Sequence, residues 1–243
     1  MATFTASIEE ILSLAIRHVN AGQRGRAKIL CEKADAVHPM HPAVKQLLAV
    51  LNLDEGNAAQ ARRYAESSLG LRPDHVPTLV LAGDAARRVN SIDDALKLYT
   101  RAYELQPERP GICLTLGMSQ RQCGQLQEAS RMLEKAAGLA PDHADTWFEL
   151  ALARQDLHDL DGATHALQKV LQLMPNRVDA LVNMGIVLQE SGCIDKAMCA
   201  YGRAYRLHPA SFGRIAHALG AASAGRMWLD LNGLRAALQN SHD

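Results

Sequence analysis

Charge of either sign has no excess in this chain, with 26 Lys and Arg against 26 Asp and Glu, and aromatic residues make up only 4%. A nucleic-acid binder would carry a basic stripe, so balanced charge argues against that class. No apolar run approaches the roughly 18 residues that a membrane span requires. The opening MATFTASIEEILSLAIRHVN has no basic leader, and Glu9 and Glu10 precede any apolar run. It reads as a first helix capped by Ser7 with Glu10 three residues on, not as a targeting signal, and no cysteine near Met1 offers a lipid anchor. A cytoplasmic location without membrane insertion is expected. Cys31, Cys113, Cys123, Cys193 and Cys199 are an odd set without a CxxC pair. Cys31 and Cys113 fall on core positions and are expected as small buried hydrophobes, and with the usual zinc spacings missing a metal or disulfide site at Cys193 and Cys199 is the lesser reading. His38-Pro39-Met40-His41 is read as a polar turn. No Ser/His/Asp order, Gly-rich phosphate loop or HExxH helix is present. The expectation is therefore no catalytic residue, no metal and no cofactor.

What the chain does have is a period. Pro39, Pro73, Pro107, Pro141, Pro175 and Pro209 recur every 34 residues. Twelve residues before each lies an alanine: Ala27, Ala61, Ala95, Ala129, Ala163 and Ala197. Twelve further back is a small residue: Ala15, Ala49, Gly83, Gly117, Ala151 and Gly185. Length alone would allow one or two domains, whereas an unbroken period argues for one array of stacked units.

Each recurring site has a physical reading. A small residue in a first helix and an alanine early in a second let two backbones approach closely, which makes an antiparallel hairpin. Gly22, Gly56, Gly124 and Gly192 supply the left-handed turn between them, with Asn90 the next-best residue and His158 the weak copy. The proline closes the unit because it cannot continue the second helix. Asp93, Asp94, Asp159 and Asp161 start second helices, where carboxylates favour the helix dipole and not catalysis.

These sites, with Tyr99, Tyr201, Leu133 and Leu167 at a large core position, resemble the tetratricopeptide repeat family over residues 8 to 211. The resemblance implies an all-α, right-handed α-solenoid of antiparallel helix pairs. It divides into an N-terminal segment 1–7, six repeats (8–41, 42–75, 76–109, 110–143, 144–177 and 178–211) and a divergent C-terminal capping pair, 212–243. Lys45 and Ala65 depart from the pattern, so the second repeat is expected to pack loosely.

By the same resemblance, first helices line a concave groove that binds a protein or peptide segment. The inward set is Arg87, Arg88, Leu114, Met118, Arg121, Phe148, Leu152, Gln155, Val182, Ile186 and Gln189. The family's carboxylate clamp is not expected, because Leu12, Ile16, Leu47 and Leu81 occupy its Lys and Asn places. An asparagine ladder would need more than Asn183. An apolar floor with arginines on one side suits an apolar segment with an acidic end. A non-catalytic adaptor or assembly scaffold is the expected function. The alternative is an accessory subunit of a larger enzyme or secretion complex, docking or self-associating through the C-terminal pair at Trp228 and Leu229. RNA binding is weakened by Asp84, Asp156 and Glu190.

Overall fold

The computed structural model describes residues 7–221 and 231–241. Trp228 and Leu229 lie outside the described residues. The chain divides into two compact units, Met1–Cys123 and Gly124–Asp243. Among the described residues the regular structure is helical throughout.

The first unit runs α1 (Ile8–Asn20), α2 (Arg24–Val37), α3 (Pro42–Asp54), α4 (Ala58–Leu71), α5 (Val76–Arg88), α6 (Ile92–Leu105) and α7 (Pro110–Gln122). Helices α1/α2, α3/α4 and α5/α6 pack as hairpins, and each second helix also packs against the helix that follows it. The second unit holds α8 (Leu126–Leu139), α9 (Ala144–Asp156), α10 (Leu160–Leu173), α11 (Val178–Glu190) and α12 (Ile194–Leu207). A 3-10 turn, Pro209–Ser211, then leads to α13 (Phe212–Ala221), and α14 is Leu231–Asn240. Here α9/α10 and α11/α12 are the hairpins.

Local chemistry sets the helix ends. Ser7 and Glu10 form a reciprocal capping box, with the Glu10 amide donating to Ser7 Oγ at 3.2 Å and the Ser7 amide to Glu10 Oε2 at 2.9 Å. Asp159 accepts from the Gly162 amide at 3.0 Å, as its place at the start of α10 predicts. Asp94 is drawn elsewhere, into an ion pair with Arg62 at 2.8 Å. That guanidinium, through its hydrogen bond and its charge, holds the Asp94 carboxyl below its ordinary range. At the turn inside a hairpin the chain must enter the left-handed region, so Gly192 has φ 76° while His158 accepts φ 58° with a full side chain.

Two hairpin interiors match a glycine to a tyrosine ring. The ring of Tyr99 on α6 sits in the space left by Gly83 on α5, and Tyr201 on α12 does the same against Gly185 on α11. Where the first helix carries alanine the partner sixteen residues on is smaller: Ala15 shares a core with Cys31, and Ala49 with Ala65. The second repeat is not loose at its atypical residues. Ala65 is fully buried. Lys45 pairs with Asp35 at 2.8 Å, with its ammonium 5.6 Å from the centre of the Tyr64 ring. Its long stem and charge replace the missing apolar residue because a carboxylate and a ring face are both within reach.

Burying phenols predicts an alkaline limit. Burial first, and then the neighbouring carboxylate, push Tyr99 and Tyr201 upward. The fold holds the neutral phenol, whose pKa in the unfolded chain is about 10. Its contribution is therefore full below that pH and is lost as pH rises toward the higher folded values. Cys31, pushed up to about 11 by burial, acts in the same direction. Thermal unfolding should show stability falling above pH ~10, with a shallower fall in Tyr99→Phe and Tyr201→Phe; identical slopes would refute the assignment.

Candidate protein-binding face

The expected groove residues fall on both units. In the first unit, Arg87 and Arg88 end α5, where positive charge favours the helix C-terminus. Arg88 is anchored, its Nη1 donating to the Leu53 carbonyl at 2.7 Å near the end of α3. Arg87 is half-buried beside the Tyr99 hydroxyl, which donates to Asp84 Oδ1 at 2.6 Å. Leu114, Met118 and Arg121 on α7 are half-buried. Between the starts of α5 and α7 lies a shallow apolar cavity of about 590 Å³, walled by Pro77, Val80, Pro110 and Ile112 with Arg109 at its edge.

In the second unit, Phe148, Leu152 and Gln155 on α9 are half-buried, as is Ile186 on α11. Phe148 is not bare floor. The Arg177 guanidinium stands 4.5 Å from its ring centre while pairing with Asp145 at 2.6 Å and Asp179 at 2.9 Å. Gln155 donates to Glu190 Oε1 at 3.2 Å, which ties the ends of α9 and α11 together.

Two residues of the expected groove are buried, although Gln189 also lines a cavity between α11 and α13. Val182 is 0% exposed and Gln189 is 1% exposed. Val182 packs in a core with Leu181, Tyr201, Ile215 and Leu238. Gln189 accepts the Tyr201 hydroxyl at 3.0 Å. The cause is that α11 is packed on several sides, by α10, α12 and α13. Val182, placed inward by the family resemblance, is consequently covered.

The structure also presents features absent from that set. A cavity of about 810 Å³ opens between α11 and α13, with Ile186, Leu160 and Ala218 among its apolar walls and Arg214, His217, His158 and Glu190 around them. The sequence signal for it was His158 itself, which occupies a turn position where glycine or asparagine is easier. No group of three or more His, Cys, Asp or Glu side chains able to hold a metal ion occurs among the described residues. No described helix is long and apolar enough to cross a membrane.

Comparison with known proteins bears on the fold. Residues 86–154 match the family model described as tetratricopeptide repeat. No curated protein matches the chain by sequence. Among solved structures, a MamA chain from Desulfovibrio magneticus RS-1 is similar with TM-score 0.67 and 18% identity, covering 70% of this chain and 98% of that one. Pseudomonas aeruginosa pilF gives TM-score 0.70 and 19% identity over 83% of this chain and 91% of its own. YrrB, described as a TPR protein with an unusual peptide-binding site, gives TM-score 0.64 and 18% identity over 74% and 92%. Identities of this size speak for the fold alone. The matched segment and the shared fold agree with the 34-residue period: residues 86–154 match the tetratricopeptide repeat model, and the chain has the tandem helix-pair fold of these structures.

Proposed function

We propose that the chain is a non-catalytic interaction scaffold whose first helices offer a preformed face to a segment of a partner protein. The observation that carries this is the run of half-buried apolar side chains on first helices, Leu114 and Met118 in one unit and Leu152 and Ile186 in the other. They remain partly open to solvent although each sits beside a well-packed hairpin. Apolar surface kept at such places is a common mark of contact sites. The six-repeat division is part of the same reading. The peptide-binding site named in the YrrB description supports it by analogy of fold.

The proposed contact residues are Arg87, Arg88, Leu114, Met118 and Arg121 in the first unit and Phe148, Leu152, Gln155, Ile186 and Gln189 in the second, without the buried Val182. A preformed face avoids part of the ordering cost of binding. The alternative of docking through the C-terminal pair is less favoured, because Leu234 and Leu238 of α14 are spent in the core against α12.

Affinity capture with the intact chain and with an Arg121→Glu, Phe148→Ala double variant tests the proposal, with helical content and melting temperature measured alongside. A partner held by the intact chain should be reduced at least ~10-fold by the variant, which corresponds to about 1.4 kcal/mol. Equal capture by a folded variant would move the contact elsewhere.

A further inference from the structure

The geometry points to the cleft between α11 and α13 as the seat of a peptide segment in which one large apolar side chain is followed or preceded by an acidic residue. This rests on the scaffold reading above and gives it a place and a ligand chemistry. At about 810 Å³ the cleft is within the range of ligand pockets, roughly 300–1,000 Å³. Its floor is apolar: Ile186 from α11, Leu160 from the start of α10, and Ala218 from α13. Alanine at 218 leaves the depth that a leucine or phenylalanine of a partner would fill.

The charge on the α13 side selects the second feature. Helix α13 contributes Arg214 and His217 to the cleft and carries no acidic residue over Phe212–Ala221. Arg214 is exposed and has no hydrogen-bond or ion-pair partner among the described residues. Contrast Arg62, Arg154 and Arg177 of the same chain, each of which holds a carboxylate. The carboxylate on the opposite wall, Glu190, is engaged by Gln155 at 3.2 Å. Glu190 keeps its charge while its oxygen accepts from Gln155, so an incoming Asp or Glu is placed on the α13 side, where the guanidinium, without a partner among the described residues, offers planar, two-point hydrogen bonding beside an apolar hole. A basic segment would meet the same guanidinium as repulsion.

Selection of a phage-displayed library of random linear peptides against the intact chain tests this, followed by binding of a synthesised enriched peptide to Ala218→Trp and Arg214→Glu. Enriched peptides should share one large apolar residue beside Asp or Glu. Either substitution should weaken the peptide at least ~10-fold, and Arg214→Glu should recover binding when the peptide acid is changed to lysine. Arg214 is exposed, so its variant keeps the test valid even if Ala218→Trp does not fold. Peptides that enrich but bind both folded variants unchanged would remove the cleft assignment and leave the scaffold reading standing. No enrichment at all would overturn both.

Discussion

Gly185→Ala should destabilise the protein by about 2 kcal/mol, although the change ordinarily favours a helix. Alanine gains ~1 kcal/mol over glycine in a helix interior. Against this, a Cβ at 185 would sit 2.8 Å from Cζ of Tyr201 and closer still to Cε1 and Cδ1. The ring has little freedom to move, because Tyr201 is fully buried and its hydroxyl is held by Gln189. Forcing an extra carbon into such packing costs ~3 kcal/mol, so overpacking outweighs propensity. The double variant Gly185→Ala, Tyr201→Leu restores the small-large match that Ala151 and Leu167 have at the same spacing. Its loss should be smaller than the sum of the single losses by at least ~1 kcal/mol in denaturant unfolding. Additive losses would show that the two sites are not in conflict.

Replacing both Leu234 and Leu238 with alanine should cost about 4 kcal/mol or more. Both are buried, at 1% and 0% exposure, in the core that also contains Leu181, Tyr201, Ala204 and Ile215. Truncating a buried leucine costs ~2–5 kcal/mol, so two give ~4 kcal/mol at the low end, and because the sites share a core the losses need not be strictly additive. The control is Leu231→Ala on the same helix, since Leu231 is 54% exposed and should change stability by less than ~0.5 kcal/mol. Thermal unfolding of the three variants separates a packing role for α14 from a purely surface role. If the double variant melts with the intact protein, α14 is not part of the core.

How much of this was legible from sequence depended on what each residue answers to. Pro73 and Pro107 mark unit ends by their own covalent geometry, so the period and the hairpins could be read directly. Ser7 and Glu10 act across a single helical turn and were equally plain. Val182 and Gln189 were not, because their burial is decided by neighbours on several sides of α11 and not by the periodicity of α11. Arg177 was missed as the cover of Phe148, since it lies in the turn before α11 and reaches back across a hairpin. The last helix was read as a cap of unspecified packing. One clue lies in Gly202, where a side chain would run into the Leu238 carbonyl, at 2.6 Å from a Cβ. The clue could not be read without the structure, because Gly25, Gly70 and Gly138 also lie on second helices and have nothing within 4 Å of the place a Cβ would take.

The matching of Gly83 to Tyr99 and of Gly185 to Tyr201, against Ala49 with Ala65, also bears on how such a chain can diverge or be recombined. The hairpins α5/α6 and α11/α12 carry their own lock and key, so the two halves of such a hairpin are not interchangeable parts. Exchange of an entire hairpin keeps the key with its lock. A crossover between its helices would set an alanine against a tyrosine, or leave a glycine facing empty space. The natural currency of duplication and swapping in this chain is therefore the complete helix pair, with breakpoints at the proline turns.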